Sequence, residues 1–176
     1  MKALLIATLL SLFFILGFKV GNSNMDSLIP KHEMTQVGIV VKDIEQAAER
    51  WAAFLGLEET PKINMASSSE RVPTQYRGKP SDASAKLAFI RLENITVELI
   101  EPVGKDSTWM EFLETKGEGI HHIAFQVKGM NDRILEFGQS EIPMVQRGGW
   151  ATGEYAYMDG GKNLGLIIEL LENYNK

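Results

Sequence analysis

The chain of 176 residues contains no cysteine, which excludes disulfide bridges and thiolate metal sites and leaves the redox compartment open. It has no surplus of positive charge. With 18 Lys and Arg against 23 Asp and Glu, its formal charge of -5 removes the basic footprint that nucleic-acid binding needs. Small molecules are the expected partners. The length leaves no room for a second large domain, and suits either one domain with a sizeable core or two small modules sharing one. Histidine is scarce, three in all, yet two of them stand together in "GIHHIAFQV" at 119–127, at the start of an apparent buried strand.

Charge is also missing from "ALLIATLLSLFFILGF", sixteen residues that follow Lys2 and precede Lys19 and the polar run "GNSNMDS". A cationic start, an apolar stretch and a polar exit are the parts of an export signal. Sixteen residues are slightly short for a spanning helix. No Ala-x-Ala site follows, although Ser23 is small enough to end a weaker one. Residues 1–24 are therefore read as a signal peptide or an uncleaved membrane anchor, with a buried core helix as the remaining alternative. On the first two readings the folded part is exported: periplasmic, secreted, or membrane-anchored and facing outward. Membrane contact is expected only through this segment, if uncleaved.

The rest of the chain repeats itself. "QVGIVVKDIEQAAERWAAFLGL" from Gln36 and "HIAFQVKGMNDRILEFGQSEI" from His122 each run an apolar strand into Val-Lys, a turn and an amphipathic stretch. Ile44, Ala47, Ala48, Trp51 and Leu55 share one face at helical spacing, with Ile134, Leu135 and Phe137 in the second copy. "ITVELIEP" at 95–102 matches "LIIELLEN" at 166–173 through a Glu-Leu-apolar-Glu core. The second copy is shorter through its middle.

Each copy reads as strand, helix and three strands. The first has strands at 35–42, near 58–64, at 85–92 and at 95–101, with a helix at 43–55. The second has strands at 120–128, 142–147, 153–158 and 165–171, with a helix at 130–139. Module one covers 35–104, module two 119–172, and a connecting helix capped by Ser107 covers 107–116; residues 25–34 are a linker and 35–173 the domain. "MASSSERVPTQYRGKPSDAS" reads as a structureless insert of about twenty residues, functional or mobile.

The repeat pairs Gln36 with His122 and Glu98 with Glu169. Glu169 lies in a run of Ile and Leu, and a buried carboxylate needs a solvated face or a neutralising partner. A divalent cation is one such partner, and two carboxylates, an imidazole and an amide oxygen with waters suit an ion of octahedral habit. The plainer readings are solvent-facing strand residues for Glu98 and Glu169, and a capping or core role for His122. Strand alternation turns His121 away from His122 and makes it scaffold, as His32 is in the linker.

These stretches, above all "ELIEPVGKDSTWMEFLETKGEGIHHIAFQVKGM" and "GEYAYMDGGKNLGLIIELLE", resemble the vicinal oxygen chelate superfamily, which includes glyoxalase I, methylmalonyl-CoA epimerase, bleomycin-resistance proteins and extradiol dioxygenases. The resemblance is nearest to the epimerase and glyoxalase-like branch and covers roughly 35–171. It implies an α+β fold of two paired βαβββ modules forming an open barrel-like cleft, here preceded by the apolar export segment. It also implies a divalent metal ion (Zn, Ni, Co, Mn or Mg) on Gln36, Glu98, His122 and Glu169. The chain departs from the family pattern in places. Val40 stands where glyoxalase I has a glutathione-binding Arg, and Pro102 where it has an Asn, which speaks against glutathione. The strand "AKLAFIRL" offers only Lys86 and Arg91 where the epimerases have an additional acid, which speaks against methylmalonyl-CoA.

The function implied is proton abstraction next to a carbonyl through a metal-stabilised enolate, by an isomerase, epimerase or lyase of the glyoxalase type. Glu169 is the first-choice base and Glu98 the second. The rival reading is a bleomycin-resistance-like protein that sequesters a small molecule without turning it over. The loop "RGGWATG" at 147–153 is expected either to cover the cleft or, through Trp150, to close the barrel's end. Substrate, ion and pairing of chains into a homodimer are left open.

Overall fold

Asp43 begins the first helix by accepting the backbone N–H of Gln46 at 2.9 Å, and Gly56, left-handed at φ 66°, ends it. Between them α1 (Ile44–Leu55) turns Ile44, Ala47, Ala48 and Ala52 inward. The computed structural model describes residues 27–66 and 68–174, so the expected export segment at 1–24 lies outside the described residues. The strands are β1 (Met34–Val40), β2 (Ile63–Ala66), β3 (Gln75–Tyr76), β4 (Lys79–Pro80), β5 (Ser84–Arg91), β6 (Thr96–Val103), β7 (Gly119–Gln126), β8 (Met144–Trp150), β9 (Gly153–Asp159) and β10 (Ile167–Asn173). The remaining helices are α2 (Thr108–Lys116), α3 (Met130–Gln139) and the single turn α4 (Gly161–Leu164).

All ten strands form one mixed sheet in the order β2-β5-β6-β1-β7-β10-β9-β8-β3-β4. The repeat is visible in that order. β1 lies parallel to β6 as β7 lies parallel to β10, and β1 and β7 meet antiparallel at the centre. Connectivity shows that the sheet curls. β4 ends the order on one side, yet only residues 81–83 join it to β5, second from the other side. Those few residues reach about 15 Å at most. The two edges therefore approach each other and make a half-barrel.

Helices α1 and α3 cover the convex face. Ile44, Ala47 and Ala48 pack on Ala88, Ile90, Val97 and Leu99, and Met130 and Phe137 pack on Ala156, Met158, Ile168 and Leu170. Leu135, expected on the buried face of α3, is exposed instead, because Met130, Ile134 and Phe137 complete that face at helical spacing. Inside the curl, α2 plugs one end with Trp109, Phe112 and Leu113, which pack on Val40, Ile100, Val145 and Tyr157. Ser107 caps it by accepting the Met110 N–H at 3.1 Å.

Three sequence expectations need correction. Residues 58–62 are not strand; Pro61 lacks a donor, and pairing with β5 begins at Ile63. The insert is not structureless: β3 and β4 make a hairpin that pairs with β8 of the second half and extends the sheet. The stretch 147–153 is not a loop, since β8 runs to Trp150 and β9 resumes at Gly153.

Candidate metal centre

The strand register decides which carboxylates enter the curl. Glu98 and Glu101 are three residues apart on β6 and so face opposite sides. Glu101 accepts the backbone N–H of Ile44 at 2.8 Å, at the start of α1 on the convex face. Glu172 does the same for α3, accepting from Gly129 at 2.8 Å and Met130 at 2.7 Å. Their partners in the repeat, Glu98 and Glu169, consequently point inward. Both are buried, which removes the solvent-facing alternative.

Glu98 lies across from Gly38 on β1 and Glu169 across from Ala124 on β7, each small residue two positions beyond Gln36 and His122 respectively. Gly38 is also the cross-strand partner of His122. The imidazole lies directly over it: a β-carbon on residue 38 would fall 2.0 Å from His122 Cε1. Only glycine leaves room for the ring. From that seat His122 Nε2 reaches Glu169 Oε2 at 3.1 Å and Glu98 Oε2 at 3.5 Å. One ligand atom from each of the three lies within 4.8 Å of the others.

Gln36 joins them differently. Its Nε2 donates to Glu98 Oε2 at 2.5 Å, so the amide nitrogen, not the oxygen, faces the cluster. Gln36 thus holds Glu98, and would have to turn its amide over to become a ligand.

Three observations fit a cation. His122 Nε2 and Glu169 Oε2 are buried and close, yet aligned so that neither satisfies the other as a hydrogen bond. Such orphaned atoms are costly unless something else engages both. Burial and the neighbouring Glu169 push the Glu98 carboxyl up to about 8, against the opposing pull of His122 and of the Gln36 hydrogen bond. Burial opposes a charge on His122, but Glu169 and Glu98 outweigh it and raise the ring above its ordinary range. Two carboxylates and an imidazole also form a donor set of ordinary metal-site chemistry.

His121 does not turn away. The β1–β7 register passes from Gly38–His122 to Ile39–Ile120, which leaves His121 as the extra residue of a β-bulge. The bulge cancels alternation and sends both rings inward, with Nδ1 atoms 3.0 Å apart. His121 is buried against Phe112 and Tyr157, at centroid distances of 5.4 and 5.2 Å. Burial, then the charge on His122, hold it well below the usual histidine range.

A cavity of about 450 Å³ opens onto the carboxylates. Trp109, Tyr155, Tyr157 and Trp150 line it with Leu87, Phe89 and Leu171. Trp109 donates its indole N–H to the Tyr157 hydroxyl at 2.9 Å, and Tyr157 lies 5.0 Å from His122, ring to ring. Trp150 is a fixed wall: its N–H bonds Thr152 at 3.1 Å, and its ring fills the space a side chain on Gly153 would need. Sequence reading missed these tyrosines and Gly38. The alternation in "YAY" could have found the first, because Tyr157 is the cross-strand partner of Glu169.

Residues 35–157 match the family model of the Glyoxalase/Bleomycin resistance protein/Dioxygenase superfamily. The chain belongs to this superfamily. Within the superfamily it is similar to human mitochondrial methylmalonyl-CoA epimerase, 31% identical over 110 residues that cover 62% of the chain and 54% of that enzyme. An uncharacterized protein of Bacillus subtilis is 26% identical over 144 residues, 80% of the chain and 92% of the relative. Among solved structures, methylmalonyl-CoA epimerase of Streptomyces coelicolor in complex with 2-nitronate-propionyl-CoA superposes with a TM-score of 0.57 at 17% identity, covering 80% of this chain and 94% of that one. At that identity the likeness is one of fold. The chain spans about half the length of the human relative.

Proposed function

We propose that this chain is a metal-dependent, epimerase-like enzyme of the superfamily that moves a proton next to a carbonyl group. The observation that carries the reading is the convergence of Glu98, His122 and Glu169, from three strands of both halves, on one buried point beside an aromatic cavity. Relatives named as methylmalonyl-CoA epimerases support it.

A divalent ion held by these three residues would supply the positive charge that favours an oxygen turning negative. The chain's own groups would do the rest. Glu169 takes the proton from the carbon beside the carbonyl as the C–H electrons pass toward the oxygen. Glu98, from the opposite half, takes up a proton from solvent and delivers it on the other side, while Glu169 gives its own up to solvent once product leaves, so that both acids end ionised. Gln36 fixes Glu98 by its hydrogen bond. The aromatic lining excludes water that would compete for the proton.

One observation favours the rival reading of sequestration. Besides these acids, the titratable residues lining the cavity are Tyr155 and Tyr157, and burial raises both hydroxyls well out of range for proton transfer at neutral pH. The test is metal content together with solvent-deuterium exchange into a panel of α-hydroxy ketones, 2-oxo compounds and acyl thioesters. Metal-dependent exchange that Glu169→Gln abolishes supports catalysis. Metal without exchange would leave a binder, and full exchange in Glu169→Gln would refute the choice of base.

A further inference from the structure

An oxygen that turns negative beside Glu98 and Glu169 is stabilised by any hydrogen-bond donor aimed at it, and the cavity wall shows which side chain can supply one. Most donors of the wall are already engaged. Gln36 gives an amide N–H to Glu98, Trp150 its indole N–H to Thr152, and Asn173 an amide N–H to Gln126. Trp109 gives its indole N–H to the Tyr157 hydroxyl at 2.9 Å. A phenol that accepts through its oxygen still has its own O–H to give. Trp109 is the one hydrogen-bond partner of that hydroxyl among the described residues, so the O–H is unspent.

The placement singles out this tyrosine. Tyr157 is the cross-strand partner of Glu169, its ring lies 5.0 Å from that of His122, and it is 2% exposed. Tyr155 stands instead opposite Leu171, two residues further along β10, and its hydroxyl accepts from Gln146 at 3.0 Å. Burial, then the charges of Glu169 and Glu98, hold the Tyr157 hydroxyl well above the usual tyrosine range, so it keeps its hydrogen at neutral pH and lies within reach of both acids. The bond from Trp109 occupies one side of the oxygen and turns the O–H away from α2. It also makes that O–H a stronger donor, because linked hydrogen bonds polarise one another.

We infer that Tyr157 is a catalytic residue, whose O–H, oriented by Trp109, donates a hydrogen bond to the substrate oxygen that turns negative. No proton leaves Tyr157. The C–H proton passes to Glu169, its electron pair moves toward the carbonyl oxygen, and the phenol shares its hydrogen with that oxygen without losing it. For turnover this rests on the proton-transfer reading above; as a donor to an anionic oxygen, Tyr157 stands on the geometry of the wall alone. A hydroxyl present only to hold Trp109 would be indifferent to what the cavity contains.

The test uses zinc-loaded protein and acetohydroxamate, whose ionised oxygen resembles a carbonyl oxygen that has turned negative. In the unaltered protein the indole proton of Trp109 should move downfield as the probe binds, since Tyr157 accepts more strongly once it donates to an anion; acetamide, neutral and similar in size, should move it much less. Tyr157→Phe should bind acetohydroxamate about tenfold or more weakly, and Tyr155→Phe within about threefold of the unaltered protein. Should Tyr157→Phe melt far below the unaltered chain, the Trp109 signal decides alone. An unmoved Trp109 proton, or equal affinity in a folded Tyr157→Phe, overturns the inference and leaves the proposed enzyme standing. Absence of deuterium exchange across the panel above, with the acetohydroxamate contrast intact, would keep Tyr157 as the donor and sink the enzyme. Failure of the unaltered protein to bind acetohydroxamate at millimolar concentration would sink both.

Discussion

The imidazole of His122 occupies the place where a side chain on Gly38 would be, with 2.0 Å between His122 Cε1 and a β-carbon built on residue 38. Backbone and ring therefore exclude each other's variation. Gly38→Ala is expected to push the ring off the point it shares with Glu98 and Glu169 and to weaken divalent-ion binding by about tenfold or more, with a stability cost of about 1–3 kcal/mol from overpacking. Calorimetric titration and thermal melting check both.

The paired acids predict opposite outcomes on the two faces of one strand. Glu172→Ala should cost about 1 kcal/mol by uncapping α3 while leaving ion binding unchanged. Glu169→Gln, three residues away, should remove ion binding with little loss of fold. Equal effects of the two variants on ion affinity would contradict the division of roles.

The Glu98 carboxyl is pushed up to about 8 from an ordinary 4.5 by burial and by Glu169. The folded, metal-free protein therefore keeps a proton that the unfolded chain releases, so the stability this carboxyl contributes is fully present below about 4.5 and is lost as pH rises toward about 8. His122, raised above 6.5, acts in the same direction, because its proton is also held longer when folded. Metal-free protein should melt lower at about pH 8.5 than at about pH 5.5, the slope should shrink in Glu98→Gln, and a bound divalent ion should flatten it by displacing the protons.

His121 Nδ1, 3.0 Å from His122 Nδ1, is placed to accept its proton and so leave His122 Nε2 for a cation. His121→Asn keeps an acceptor near that position and should retain ion affinity within a few fold, whereas His121→Leu should lose about tenfold or more. Nitrogen chemical shifts of the His122 ring report the proton's position directly.

Much of this architecture is legible in the chain because it is written twice. Two copies of strand, helix and Glu-Leu-apolar-Glu disclose the βαβββ halves, and the equivalence of Gln36 with His122 and Glu98 with Glu169 points to the seam between them. What escaped has physical causes. Alternation fails at His121 because a bulge adds a residue, and a bulge leaves no mark in a hydrophobic pattern. The hairpin of β3 and β4 is only two residues a side and takes its strand character from pairing with β8, a partner far away in sequence. Gly38 looks like any strand glycine until the ring above it is placed. The role of Gln36 turns on which end of an amide faces Glu98, which spacing does not encode.

Elemental analysis reads whether a divalent ion joins Glu98, His122 and Glu169. Protein equilibrated with divalent ions and then desalted should carry one ion per chain, and His122→Ala treated alike should carry none. An ion-free wild-type protein, or equal loading of the variant, would contradict it.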